Sequence, residues 1–268
     1  MKLSEIYKIA DEIAPKRLSD EYCAHYNAYD NSGVLLDVGE EIHGVLFTLD
    51  LTFAAIERAK AIGANLIVCH HPPIYGKISD IRIDDERLLG NKIVQCLRAG
   101  ISVIAMHLNA DAAPCGVDDS LMQGVALAAG ESAPKALEVM HPVDGGGYGK
   151  AYDLPETDFA TLVKNMKKVF ATERLLAYGD KKSVRRAVSC CGAGVDEESI
   201  LFAAKAGADV FISADFKHHL LTLALEKGMD VVVLTHYASE NYGFEKYCKK
   251  ICQGLEIPCE YYTEKTML

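Results

Sequence analysis

A strand-helix-strand pattern that occurs twice constrains this chain more than any other feature. The apolar run Gly44-Val45-Leu46-Phe47-Thr48-Leu49-Asp50 has the length of a buried strand; an amphipathic segment from Thr52 to about Ile62 and a second apolar run, Asn65 to Cys69, follow it. Downstream, Ala187 to Cys191, Glu197 to Ala206 and Asp209 to Ser213 repeat the plan. The offset is 144 residues, the spacing from Ala59 to Ala203 and from Gly63-Ala64 to Gly207-Ala208. Glycine before each second strand suits a helix C-terminus that ends in a left-handed residue. A second correspondence strengthens the first. The run Ile101 to Met106 ends in His107 with Asp111 four residues on, and Val231 to Leu234 ends near His236 with Glu240 four residues on. The expected fold is therefore α/β, with two similar lobes arising from an internal duplication.

Between the repeats, four glycines crowd the stretch Gly145-Gly146-Gly147-Tyr148-Gly149, which cannot form a helix interior. This places a lobe junction near residue 141, giving a first lobe over 1–140 with His70, His71 and Asp111, and a second over 141–268 with His236 and Glu240. No Lys-Ser/Thr follows the glycines as a phosphate-binding loop requires, so a hinge is the better reading. A helix over Thr157 to Phe170 and a short strand over Glu173 to Tyr178 complete the pattern.

With 268 residues, half of them apolar, the chain can bury one large core or two smaller ones. A net charge of −10 argues against general attraction to nucleic acid or to an anionic membrane surface. No run approaches the roughly 18 apolar residues of a membrane span, and the charged start Met1 to Lys8 differs from a secretory leader. The expected location is cytoplasmic. Nine cysteines, an odd number without paired CxxC spacings, read as reduced and mostly buried thiols. Cys248 and Cys252 share a helix face at i,i+4, where two core positions outweigh a metal or redox pair.

Ligands of open α/β sheets bind beyond the carboxyl ends of the parallel strands, and the histidines collect there. Cys69-His70-His71-Pro72-Pro73 leaves one strand. Strand alternation would point His70 and His71 to opposite sides, so that they serve two neighbouring ions rather than chelate one. In His107-Leu108-Asn109-Ala110-Asp111 and Thr235-His236-Tyr237-Ala238-Ser239-Glu240, residues four apart can meet on one side and offer a nitrogen and a carboxylate oxygen to a divalent cation. Taken singly, the tandem histidines are as well explained by one hydrogen-bonded core residue and one surface residue, and each of the other two motifs is better explained by a helix cap or an exposed pair. Taken together, they favour metal.

The same motifs, with Tyr29-Asp30-Asn31-Ser32-Gly33, Leu49-Asp50-Leu51-Thr52 and Gly207 through His219, resemble the NIF-three-like family, whose members carry the name GTP cyclohydrolase I type 2 homologue. The similarity runs from Tyr29 to Glu240. It implies two α/β lobes, a dinuclear metal site in the cleft between them and a ring-shaped homohexamer. Carried over by motif, His70, His71, Asp111, His236 and Glu240 are the implied metal ligands; Glu240, whose two oxygens can each reach one cation, is expected to bridge the ions. His107 falls at a sixth-ligand or supporting position, and Lys217 or His219 at a contact for an anionic ligand. The chain departs from the family where Tyr29 replaces a frequent tryptophan, Cys115 a glycine and Asp119 an asparagine, differences that bear on the substrate pocket.

Two divalent ions, whether zinc, iron, manganese or cobalt, suit a hydrolase that activates water against a nucleotide-like or other small anionic substrate. The same residues suit a metal carrier or a metal-dependent binding or regulatory protein without turnover. An open coordination position would favour the enzyme and a closed shell the carrier.

Overall fold

The computed structural model describes residues 1–78 and 80–268. In chain order the elements are α1 (Leu3–Ile13), α2 (Lys16–Tyr26), β1 (Gly33–Leu36), β2 (Val45–Thr48), α3 (Phe53–Ile62), β3 (Leu66–Cys69), α4 (Leu89–Arg98), β4 (Ser102–Ala105), α5 (Leu108–Ala112) and α6 (Val117–Ala128). They continue with β5 (Ala136–Val143), β6 (Gly146–Thr157), α7 (Phe159–Val169), β7 (Leu175–Tyr178), β8 (Val184–Ser189), α8 (Glu197–Lys205), β9 (Val210–Ser213), α9 (His218–Glu226), β10 (Asp230–Leu234), α10 (His236–Gln253) and β11 (Cys259–Tyr262). The chain divides into two compact units, Met1–Ala113 with Phe244–Thr263, and Pro114–Gly243 with Glu264–Leu268.

The first unit holds a five-stranded sheet in the order β1-β4-β3-β2-β11, parallel except for β1. Every residue of β2, β3 and β4 is buried, as expected of a parallel sheet covered on both faces. Helix α3 crosses between β2 and β3 and buries Ala55, Ile56 and Ala59 against Leu46, Ile67 and Val103. It starts where the Thr52 hydroxyl accepts the Ala55 amide at 3.0 Å, a cap typically worth about 1 kcal/mol, and stops at Gly63 with φ 70°.

The second unit holds a six-stranded sheet in the order β5-β6-β8-β9-β10-β7. Its parallel core β8-β9-β10, with antiparallel β7 beyond β10, has the order of β2-β3-β4 with antiparallel β1 beyond β4. Asp196 caps α8, accepting the Ser199 amide at 2.8 Å while Ser199 Oγ accepts the Asp196 amide at 3.0 Å. Gly207, at φ 71°, ends that connection as Gly63 ends its counterpart. The constant offset expected from the sequence holds from the helix onward but not before it. Val45 lies opposite Leu66 and Ala187 opposite Val210, so the first strands match with two residues fewer of offset, and the turn after β8 absorbs the difference.

The glycine-rich stretch is not a junction between the units. Val143 pairs with Gly146 and His141 with Tyr148, making it the β5–β6 hairpin inside the second unit, while the chain passes between units at residues 113/114, 243/244 and 263/264. Glycine is needed there for the hairpin itself. Gly145 has φ 86°, and a Cβ on Gly147 would press on the His141 carbonyl of the paired strand.

Lys150 of β6 is 4% exposed, with Nζ 2.7 Å from Asp118 Oδ2 and 3.0 Å from Asp119 Oδ1. Asp118 also accepts the backbone amides of Gly149 at 2.9 Å and Cys191 at 3.0 Å, joining α6, β6 and the end of β8. Among the described residues, no helix is long and apolar enough to cross a membrane.

Candidate metal centre

In the first unit, the donors stand where β3 and β4 run out. Strand β3 ends at Cys69, and the His70 amide donates to the Thr48 and Leu49 carbonyls while the His71 amide donates to Leu49. The chain thus bends over the end of β2 before Pro72 and Pro73. Strand alternation stops at that bend, so the expectation that His70 and His71 diverge does not hold: their ring centroids are 4.9 Å apart. The His107 ring lies 5.2 Å from that of His70 and 5.7 Å from that of His71. One nitrogen from each of the three histidines falls within 4.8 Å of the others. Asp111, one turn along α5, is 3% exposed and brings Oδ1 to 3.4 Å from Nε2 of fully buried His70.

In the second unit, β10 ends at Leu234 and α10 begins at His236, so His236 and Glu240 share one helix face. Their Nε2 and Oε2 atoms are 3.1 Å apart. Ser239 Oγ accepts the Gly192 amide at 3.0 Å and donates to the His236 carbonyl at 2.8 Å, fixing the loop after β8 against this first turn. Gly192 has φ 56°, and a Cβ built on it would overlap Glu240 Oε1.

Each of these four histidines directs Nδ1 at an oxygen that can only accept. His70 Nδ1 is 2.8 Å from the Met106 carbonyl, His71 Nδ1 2.8 Å from Asp50 Oδ1, His107 Nδ1 2.8 Å from Asp30 Oδ1, and His236 Nδ1 2.6 Å from Asp215 Oδ2. In the neutral ring the proton therefore sits on Nδ1, and Nε2 carries the lone pair. At His70 and His236 that nitrogen faces a carboxylate oxygen. Two lone-pair atoms so close call for a cation, either an additional ring proton or a metal ion. A nitrogen and carboxylate set with outer oxygens orienting each ring fits a divalent transition ion.

Burial alone would raise the Asp30 carboxyl, but the hydrogen bond and charge of His107, with the Ser19 and Ser32 hydroxyls, hold it well below the usual carboxylate range. For His107, burial favours the neutral ring, while the Asp30 hydrogen bond and the charges of Asp111 and Asp30 prevail and raise its pKa. Asp30, Asp50 and Asp215 were not among the residues anticipated from sequence. Each belongs to a motif that carries the family resemblance, and Asp50 and Asp215 follow strand ends, which is the signal that could have found them. Lys217 and His219 line a surface depression of about 590 Å³ in the second unit, with Asp196, Glu197, His218 and Glu226. Its described lining includes none of the candidate metal ligands.

The family model for Duf34/NIF3 (NGG1p interacting factor 3) matches residues 1–266. A Clostridium perfringens protein called GTP cyclohydrolase 1 type 2 homolog is 29% identical over 268 residues, covering 99% of this chain and 97% of its own length. The NGG1-interacting factor 3 of Saccharomyces cerevisiae is 25% identical over 276 residues, covering 94% of this chain and 91% of its own. Among solved structures, a Staphylococcus aureus hypothetical protein, SA1388, superposes with a TM-score of 0.81 at 21% identity, covering 99% of this chain and 97% of the other.

Proposed function

Because the chain belongs to the Duf34/NIF3 family, we propose that it holds two divalent metal ions on His70, His71, Asp111, His236 and Glu240, with His107 as a sixth ligand or a support, and uses them as a hydrolase. The observation that carries this reading is the common orientation of the four rings, each giving Nδ1 to an oxygen acceptor and keeping Nε2 for a cation. The two α/β units with their matching strand order support an origin by internal duplication, each copy contributing a histidine and a carboxylate from the end of its third parallel strand. The metal would supply Lewis-acid activation of water and substrate. The chain's own residues would orient the ligands through Asp30, Asp50 and Asp215.

The name borne by the C. perfringens relative suggests a nucleotide-like substrate. In a chain of net charge −10, an anionic substrate needs local positive charge, which the metal would provide. Lys217 and His219 are the candidates for a further anion contact, in a depression they share with Asp196, Glu197 and Glu226. We further propose a cytoplasmic homohexamer, on the family resemblance. A metal carrier without turnover is the second reading, favoured by the burial of His70, Asp111 and Glu240, which suits a closed coordination shell.

Elemental analysis of protein purified without added metal, followed by a screen of the loaded protein against nucleotides and phosphoesters, separates the two readings. Two equivalents with turnover are expected; two equivalents without turnover identify the carrier. Glu240→Gln should lose at least one equivalent, since an amide offers one good acceptor and no charge. Retention of both ions in that variant would remove Glu240 from the ligand set.

A further inference from the structure

Two aromatic rings stand among the exposed large hydrophobic side chains of the described residues, Tyr29 at 50% exposure and Tyr75 at 58%, and they lie against each other. Their centroids are 4.9 Å apart with planes at 87°, the edge-to-face arrangement that aromatic quadrupoles favour. Both hydroxyls are engaged by backbone. Tyr75 Oη donates to the Tyr29 carbonyl at 2.6 Å, and Tyr29 Oη accepts the Gly76 amide at 3.2 Å. Asn31 Nδ2 adds a third tie between the two segments, donating to the Ile74 carbonyl at 2.7 Å. The pair is thus held in place, and what it offers the solvent is aromatic surface.

The two segments that carry this pair also carry donors and supports of the first unit's candidate metal ligands. Tyr29 precedes Asp30, whose Oδ1 is 2.8 Å from His107 Nδ1. Tyr75 follows His71 by four residues, a separation that even fully extended chain spans in at most about 14 Å. All of these residues belong to the unit Met1–Ala113 with Phe244–Thr263. Orienting the histidines does not explain the rings, because the Met106 carbonyl, Asp50 and Asp30 already do that. Packing does not explain them either, since half of each ring or more is open to water.

We infer that Tyr29 and Tyr75 form a stacking platform for the heterocyclic base of a nucleotide whose phosphate is turned toward the candidate metal ligands. The inference rests on the nucleotide-like substrate proposed above and names the residues that hold its base. An aromatic face stacks on any planar ring, and a pair already fixed by three hydrogen bonds loses little freedom when a ligand settles on it. In a chain of net charge −10, an anionic group is drawn to the metal. The ligand that suits both features is anionic at one end and flat and weakly polar at the other. Because every base has such a face, the platform supplies affinity and orientation without choosing among bases.

The chain has no tryptophan, so Tyr29→Trp puts a single fluorescent reporter into the platform itself. In the full-length protein reconstituted with zinc, that emission should be quenched saturably by guanosine 5′-monophosphate and left unchanged by ribose 5-phosphate, which keeps the sugar and phosphate but lacks the base. Calorimetric titration of proteins without the reporter supplies the second arm. Tyr29→Ala and Tyr75→Ala should each weaken guanosine 5′-monophosphate binding by about fivefold or more, the loss expected for one base–aromatic stack. Their zinc content and their affinity for ribose 5-phosphate should match wild type, and Tyr29→Phe, which keeps the ring, should regain most of the binding lost in Tyr29→Ala. Equal affinity of wild type and both alanine variants for guanosine 5′-monophosphate would overturn the platform and leave the nucleotide-like substrate standing. Failure of fully zinc-loaded wild type to bind either compound would overturn both. Zinc loss in the alanine variants, or an equal loss of affinity for the two compounds, would make the pair a brace for its loops and overturn the inference. A reporter emission that starts blue-shifted and moves to the red on dilution would mean that a second copy covers the pair, which also overturns it.

Discussion

Asp215 holds His236 from the side opposite Glu240: Asp215 Oδ2 lies 2.6 Å from Nδ1, and Glu240 Oε2 lies 3.1 Å from Nε2. One ring is thus fixed in tautomer and in direction by two carboxylates. Of the two, only Glu240 belongs to the proposed ligand set.

Replacing Asp215 with asparagine tests that role. The amide can donate to Nδ1 as readily as accept from it, which permits the tautomer with its proton on Nε2 and removes the lone pair from the metal side. Metal affinity at His236 should fall about 10- to 100-fold, as is typical when such an outer partner is lost. Asp215 is exposed, so thermal stability should change little. Titration against a chromophoric chelator reads the affinity; an unchanged dissociation constant would show that His236 needs no carboxylate behind it.

Gly192→Ala tests Glu240 without altering any ionisable group. The new methyl would occupy the position of Glu240 Oε1, and the residue would keep a φ of 56°, so the carboxylate must turn away. The left-handed conformation adds about 1–2 kcal/mol of strain for a non-glycine residue, which is survivable for a domain of ordinary stability. A folded variant that binds at least one equivalent less metal is expected by elemental analysis. Full metal content in a folded variant would indicate that Glu240 is not a ligand.

Cys115 carries the opposite problem, a side chain at φ 55° where the resembling family often has glycine. Glycine would remove the left-handed penalty of roughly 1–2 kcal/mol but cost about 0.5–1 kcal/mol of unfolded-chain entropy. Cys115→Gly should therefore stabilise by about 0.5 kcal/mol, raising Tm by one or two degrees, with metal content unchanged. A lower Tm would mean that the thiol makes a contact worth more than the strain.

The parallel cores were legible because β2, β3, β8 and β9 are short apolar runs separated by a helix and a glycine, a pattern that depends only on local chemistry. The histidines were legible for the same reason, since each follows the end of a strand. Their orientation was not. The bend that brings His70 and His71 together depends on the amides of both finding the Thr48 and Leu49 carbonyls on a neighbouring strand, a long-range pairing that alternation cannot anticipate. Asp30 illustrates a further limit: it reaches His107 across 77 residues of chain, and nothing local marks it as a partner. The glycines at 145–149 read as a junction because flexible composition is shared by linkers and hairpins, and only the Val143–Gly146 pairing distinguishes them.

Lys150 gives a prediction about pH. Burial acts to lower its pKa, but the charges and hydrogen bonds of Asp118 and Asp119 outweigh burial and raise it above the ordinary lysine value. A group whose pKa is raised on folding contributes stability that is fully present below its unfolded pKa, about 10.4 for lysine, and that is lost as pH rises through the folded value. Lys150→Met should strand the buried Asp118 carboxylate with two backbone amides and no counter-charge, a loss of about 3–5 kcal/mol. The stability gap between wild type and Lys150→Met, measured by urea denaturation, should stay constant from about pH 6 to pH 9 and narrow only above about pH 10.4. A gap that narrowed between pH 6 and 9 would mean that Lys150 loses its proton there and that the cluster is not held as an ion pair.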